Sequence, residues 1–215
     1  MRKKHAISVT FILLTISFAP LLLAEEQETS PEIHALGSPH AFTTNHIRHV
    51  RETAKRVSWT DLTIDNQIVE SEIQDVQAWN RCVKAAILGG TETIQKTVSV
   101  LIDATEKNLV NAVHSPVNIF LLLQTYDCIH AIPEYSQIPV DLQQRLRSNI
   151  RDLTQILFEE LIGNPALQNN VLFRSNCLYA GMISGTSEQI SLALDGNQTI
   201  QSLKHILRTQ FTNEG

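Results

Sequence analysis

The chain has 215 residues, with 17 Lys+Arg against 22 Asp+Glu and a net charge of −5. That length suits one sizeable core and is short for two, and the acidic balance fits a nucleic-acid or anionic-membrane binder poorly. Its three cysteines, Cys82, Cys128 and Cys177, are too sparse for a disulfide scaffold.

The chain opens MRKKH, continues through the apolar run AISVTFILLTISFAPLLLA and switches abruptly to EEQETS. A basic start, an apolar stretch and a small residue, Ala24, before acid read as a secretory signal peptide over residues 1–24. Pro20 breaks the apolar run just before the cleavage point. An uncleaved N-terminal anchor is the rival reading, because the run is close to spanning length. Cleavage removes Arg2, Lys3 and Lys4 and no acid, so the mature chain carries −8. The expected product is soluble and secreted, with no membrane contact after cleavage.

Residues 25–57 hold few large apolar side chains, with Pro31, Gly37, Pro39 and four histidines, His34, His40, His46 and His49. They read as a polar mobile arm that turns helical from about Thr44. His46 and His49 stand three apart, a helical metal spacing, but no cysteine or carboxylate clusters with them, so a solvated segment is preferred. Lys55 and Arg56 form a dibasic pair that would release the arm as a propeptide in a cell with the matching protease, although a chance pair is the preferred reading.

Residues 58–215 then read as a helical bundle domain. Asp61 is a candidate cap, followed by a stripe of Val69, Ile73, Val76, Val83 and Ile87 flanked by Trp79 and interrupted by Asn80. Gly89 and Gly90 stop that helix. The next presents Ile94, Val98, Leu101, Ile102, Leu109, Val110 and Val113 inward and Lys96, Asp103, Glu106 and Lys107 outward. Residues 115–132, SPVNIFLLLQTYDCIHAI, start with a cap and a proline at the first helical position. This stretch lacks a polar face in its first half, so it must be surrounded. It is also too short, and too polar at Asp127 and His130, to cross a bilayer. It is therefore the expected central helix.

After a connection bracketed by Pro133 and Pro139, Leu142, Leu146, Ile150, Leu153, Leu157 and Leu161 repeat at helical spacing, widened by Ile156 and Ile162. Gly163, Asn164 and Pro165 end this helix and begin another that runs to about Ile183, with Val171, Leu172, Leu178 and Met182 as expected core. Thr186 and Gln189 fit a capping box for the last stretch, which carries Ile190, Leu194, Ile200, Leu203, Leu207 and Phe211. Asp195, Gly196 and Asn197 split or kink it. Without alternating strands or a fixed repeat, the fold class is all-α. The architecture expected is an antiparallel bundle of five to seven helices behind a signal peptide and a flexible N-terminal arm.

Zincin, nucleophile-elbow and phosphate-loop motifs are all missing. Cys128 and His130 are two apart and point in different directions on a helix, so they do not form a nucleophile–base pair. Asp127 and His130 are three apart and can touch, yet a nucleophile would have to come from another helix. Glu159 and Glu160 are adjacent on one helix and do not converge as a hydrolase pair. Arg145, Arg147 and Arg151 make a small basic patch. Asn197-Gln198-Thr199 is an N-glycosylation sequon.

These features point to a secreted, non-catalytic protein that binds an unknown extracellular protein or contributes to an extracellular structure. A carrier of a small apolar ligand between helices is the alternative, and an enzyme whose site the sequence does not display is the third. No cofactor, metal or nucleic acid is expected. Any two of Cys82, Cys128 and Cys177 can pair in an oxidising compartment, and the odd one can link a dimer.

Overall fold

The computed structural model describes residues 42–56, 74–111, 116–184 and 186–212. The leader with Ala24, residues 25–41 and residues 57–73 lie outside the described residues, and with them the expected cap Asp61 and the start of the first stripe. Among the described residues there are nine α-helices, one 3-10 turn and no strand. The helices are α1 (Thr44–Arg56), α2 (Gln74–Leu88), α3 (Thr91–Asn111), α4 (Pro116–Ala131), α5 (Val140–Gly163), α6 (Pro165–Gln168), α7 (Val171–Ser184), α8 (Ser187–Asp195) and α9 (Leu203–Thr212). The 3-10 turn spans Pro133–Gln137.

Two features take the count past five to seven, and a third falls where a split or kink is expected. Thr44–Arg56 is a helix within the expected arm. The helix expected from Pro165 to Ile183 breaks at Asn169 and Asn170, where the Asn170 side chain accepts the Phe173 N–H at 2.9 Å and restarts the chain as α7. Gly196, at φ +74°, splits the last stretch into α8 and α9. A Cβ there would run into the backbone oxygen of Ile200.

Helix α4 is the middle of the fold. Every residue from 122 to 129 is buried. Helices α2, α3 and α7 all pack on it. Ala78, Cys82, Ala85 and Ala86 give α2 a small inward face beside the buried Trp79, whereas the branched Val76, Val83 and Ile87 are only half-buried. Small side chains let two helix backbones approach closely, which suits a neighbour already crowded with Leu and Ile. Helix α5 buries the leucine stripe as expected through Leu146, Ile150, Leu153, Leu157 and Leu161, while Ile162 is exposed. In α7 the buried face is Phe173, Cys177, Ala180 and Ile183 rather than Leu172 and Met182.

Residues 42–56, the described part of the expected arm, pack against the body. Phe42 and Ile47 are buried, and the Phe42 ring lies 6.3 Å from that of Trp79 on α2. Thr43 and His46 cap α1 reciprocally: His46 N–H donates to Thr43 Oγ1 (3.2 Å) and Thr43 N–H to His46 Nδ1 (3.3 Å). His46 therefore serves as a cap partner.

Two arginines hold the body together from its helix ends. Arg51 of α1 donates to the carbonyls of Ala86 (2.9 Å) and Ala85 (3.3 Å) at the end of α2, and pairs with Glu134 at 2.9 Å. Gly89, at φ +77°, brings the α2 terminus under this pair. Arg174 of α7 is wholly buried and donates to Ala193 and Leu192 in the last turn of α8, and to Gln201 beyond it at 3.0 Å. The last four carbonyls of a helix lack intrahelical partners and carry the negative end of its dipole, so a guanidinium satisfies both needs. Burial lowers the Arg174 pKa, but from far enough above the physiological range to leave the side chain charged.

Arg174→Met should lower the unfolding free energy by about 3–5 kcal/mol, because buried carbonyls lose a charged donor. A urea midpoint unchanged from the parent would refute that role. Deleting residues up to Arg56 should cost roughly 2–5 kcal/mol through loss of the buried Phe42, Ile47 and Ala54, read as a lower melting temperature.

Candidate functional site

The end of α4 gathers the polar groups that sequence reasoning singled out. Gln124, Thr125 and Asp127 are buried, and His130 is half-buried. Asp127 accepts the Tyr179 hydroxyl of α7 at 2.7 Å. Burial and the Asp127 charge both push the Tyr179 hydroxyl's pKa well up, so it stays a donor. His130 packs between two tyrosines and is tilted to both, 4.2 Å from the Tyr126 ring and 4.3 Å from the Tyr135 ring. Its Nδ1–H donates to the Tyr126 carbonyl at 2.9 Å, and its buried Nε2 has no hydrogen-bond partner. Desolvation, aided by the charge of Arg147, lowers the His130 pKa from 6.5 to about 4. The imidazole is neutral at physiological pH. Asp127 is thus engaged by α7, and His130 by the 3-10 turn.

The thiols lie in the same core. Cys82, Cys128 and Cys177 are all buried free thiols, so none of the three expected pairings is formed in this conformation. Cys82 Sγ–H donates to the Thr125 carbonyl at 3.7 Å. Its contact with Cys128, burial and the nearby Asp127 charge together hold its pKa well above the ordinary range. Cys177 donates to the Leu157 carbonyl at 3.7 Å, and burial pushes it up to about 12. Such thiols are protonated and poor nucleophiles. Full burial of Cys177 also means that a dimer linked through it needs α7 to open.

The remaining candidate residues lie at the surface. Asn197 is exposed, and its Oδ1 accepts N–H groups of Thr199 and Ile200 and the Thr199 hydroxyl. Arg145 pairs with Glu106 at 2.7 Å, which ties part of the basic patch to α3. Glu159 is exposed. Lys55 is exposed on α1, beside Arg56, whose backbone ends that helix.

Lys55 also lines a surface groove of about 300 Å³ between α1 and the 3-10 turn, together with Thr44, Ile47, Arg48, Arg51, Glu52 and Pro133. Residues 44, 48, 51 and 55 recur at three- and four-residue steps, so one side of α1 supplies them. Ile47 forms an apolar floor, Arg51 is fixed by its carbonyl and Glu134 contacts, and Arg48 and Lys55 are exposed. Sequence reasoning missed this groove because its other wall, Pro133, is far along the chain. The helical spacing of Arg48, Arg51 and Lys55 was the available signal.

No known protein family, no characterised protein and no solved structure matches this chain.

Stability should respond to pH through His130. Its folded pKa near 4 lies below the ordinary 6.5, so the unfolded chain binds the proton first as pH falls. The contribution is complete above about 6.5 and is lost progressively towards about 4, by roughly 3 kcal/mol. His130→Phe should flatten the loss in urea titrations between these limits; an equal loss in parent and variant would assign it to other groups.

Proposed function

We propose that this is a secreted, non-catalytic protein that acts by binding an extracellular partner, and that the groove along α1 is its binding face. The observation that carries this reading is the row of Arg48, Arg51 and Lys55 beside Pro133 over an apolar floor. In a chain that is acidic overall, a local cationic strip favours a partner segment bearing carboxylates. Arg51 is already held by α2 and Glu134, so little freedom is lost there on binding. The leader-like start supports export, and among the described residues no helix is long and apolar enough to cross a membrane. An exposed sequon asparagine supports glycosylation at Asn197.

The close cover of α4 by α2, α3 and α7 is the reason to prefer partner binding over carriage of an apolar ligand. The protonated thiols and the neutral, tyrosine-packed His130 are the reason to prefer it over catalysis.

A photo-crosslinker placed at Arg48 should trap a partner from the native extracellular material, while one at the exposed Ile162 should not. Arg48→Glu with Lys55→Glu should cut the crosslink yield by about tenfold or more. Equal trapping at both positions, or none at Arg48, would remove the groove as the binding face. Retention of the uncleaved full-length chain in cell membranes would remove secretion.

A further inference from the structure

Three thiols sit in this core, but they are not equivalent. Cys82 is part of the small inward face of α2 and donates to the carbonyl of Thr125 on α4. Cys128 is three residues after Thr125, hence one turn along the same side of α4. The two thiols meet there, buried between packed helices. Cys177 faces elsewhere, on to the Leu157 carbonyl of α5.

We propose that Cys82 and Cys128 are a disulfide-forming pair that links α2 to α4, with Cys177 remaining a thiol. The residues three and four places from Cys82 on α2 are Ala78, Trp79, Ala85 and Ala86, three of them alanines, and the Trp79 ring lies beside that of Phe42. The two sulfurs are not at bonding distance, so the bond needs side-chain rotation and a helix shift to reach about 2.0 Å, and the three alanines beside Cys82 are the reason that shift meets little bulk. A like pair of large neighbours would hold the helices apart.

The oxidant is a low-molecular-weight disulfide of the glutathione class. One cysteine, as thiolate, attacks it and forms a mixed disulfide, releasing one small thiolate, which takes up the proton the cysteine lost. The second cysteine, also deprotonated, attacks the first cysteine's sulfur and releases the second small thiol. Two protein thiols are oxidised by two electrons, one small disulfide is reduced to two thiols, and both protons end on those thiols. Because both protein thiols are buried in the folded body, exchange runs during folding, before α2 seats on α4. The bond closes a loop of chain that contains all of α3, and so constrains the unfolded state.

The full chain is refolded with a mixture of oxidised and reduced glutathione, then unfolded and alkylated without reductant. One of the three cysteines should take the label before reduction and all three after it. The unlabelled product should be about 2 Da lighter than the reduced chain. Peptide mapping should join the fragment holding Cys82 to that holding Cys128. Cys177→Ser should keep the link and the higher melting temperature of the oxidised form, while Cys82→Ser and Cys128→Ser should lose both. If those two variants fail to fold, the map of the parent chain decides alone. Three labelled thiols after oxidative refolding, a link that includes Cys177, or a covalent dimer would each overturn the proposal.

Discussion

A central helix with almost no polar side governs this structure. Helix α4 cannot lie on a surface, because any side turned to water would expose Leu, Ile or Phe. Its neighbours must therefore close around it. Helices α2, α3 and α7 do so: α2 buries three alanines, a cysteine and Trp79, and α3 buries Ile94, Val98, Leu101 and Ile102. A close-packed interior needs such a mixture of small and large side chains.

Covering α4 this thoroughly leaves a second problem, since helix ends and mid-helix polar groups become buried too. The fold solves it with long or planar donors reaching across from other helices. Arg51 satisfies the end of α2 and Arg174 the end of α8. Tyr179 reaches Asp127 on α4, and Asn149 of α5 reaches Thr105 of α3 at 3.1 Å. Each contact is a tie between separate elements as well as a satisfied polar group, so each helps fix which helix sits where. Hydrophobic cover alone is non-directional and would leave that choice less sharp.

This division explains what the chain discloses in one dimension. The leucine stripe of α5 and the capping box at Thr186 and Gln189 are local patterns, and both are found as read. The inward face of α2 was misjudged because Val76, Val83 and Ile87 outrank alanine on any hydropathy scale, while the deciding quantity is the room left beside α4. The face of α7 was misjudged because Arg174 sits on the buried side, where an arginine is not expected. Its partner Ala193 lies 19 residues onward, and those of Arg51 lie 34 to 83 onward. No periodicity within a window of one helix can register such ties. The polar end of α4 was visible as a cluster, but its meaning was not, because Tyr135 and Tyr179 come from other elements.

The same logic bears on which charges of α1 are available to a partner. Arg51 faces the groove but is committed on three sides, to two carbonyls of α2 and to Glu134. Its role there is to hold α1 against the body and to present a fixed positive wall. The exposed cations are Arg48 and Lys55, one turn before and one turn after it, with Glu52 between them. On the proposed reading, a partner carboxylate would meet Arg48 or Lys55 first and gain the Arg51 field without displacing its contacts. Glu52 disfavours a uniformly acidic strand, because a second carboxylate placed opposite it would be repelled. If the groove is the binding face proposed above, a segment with separated acidic residues and an apolar side chain between them, set over Ile47, would match it.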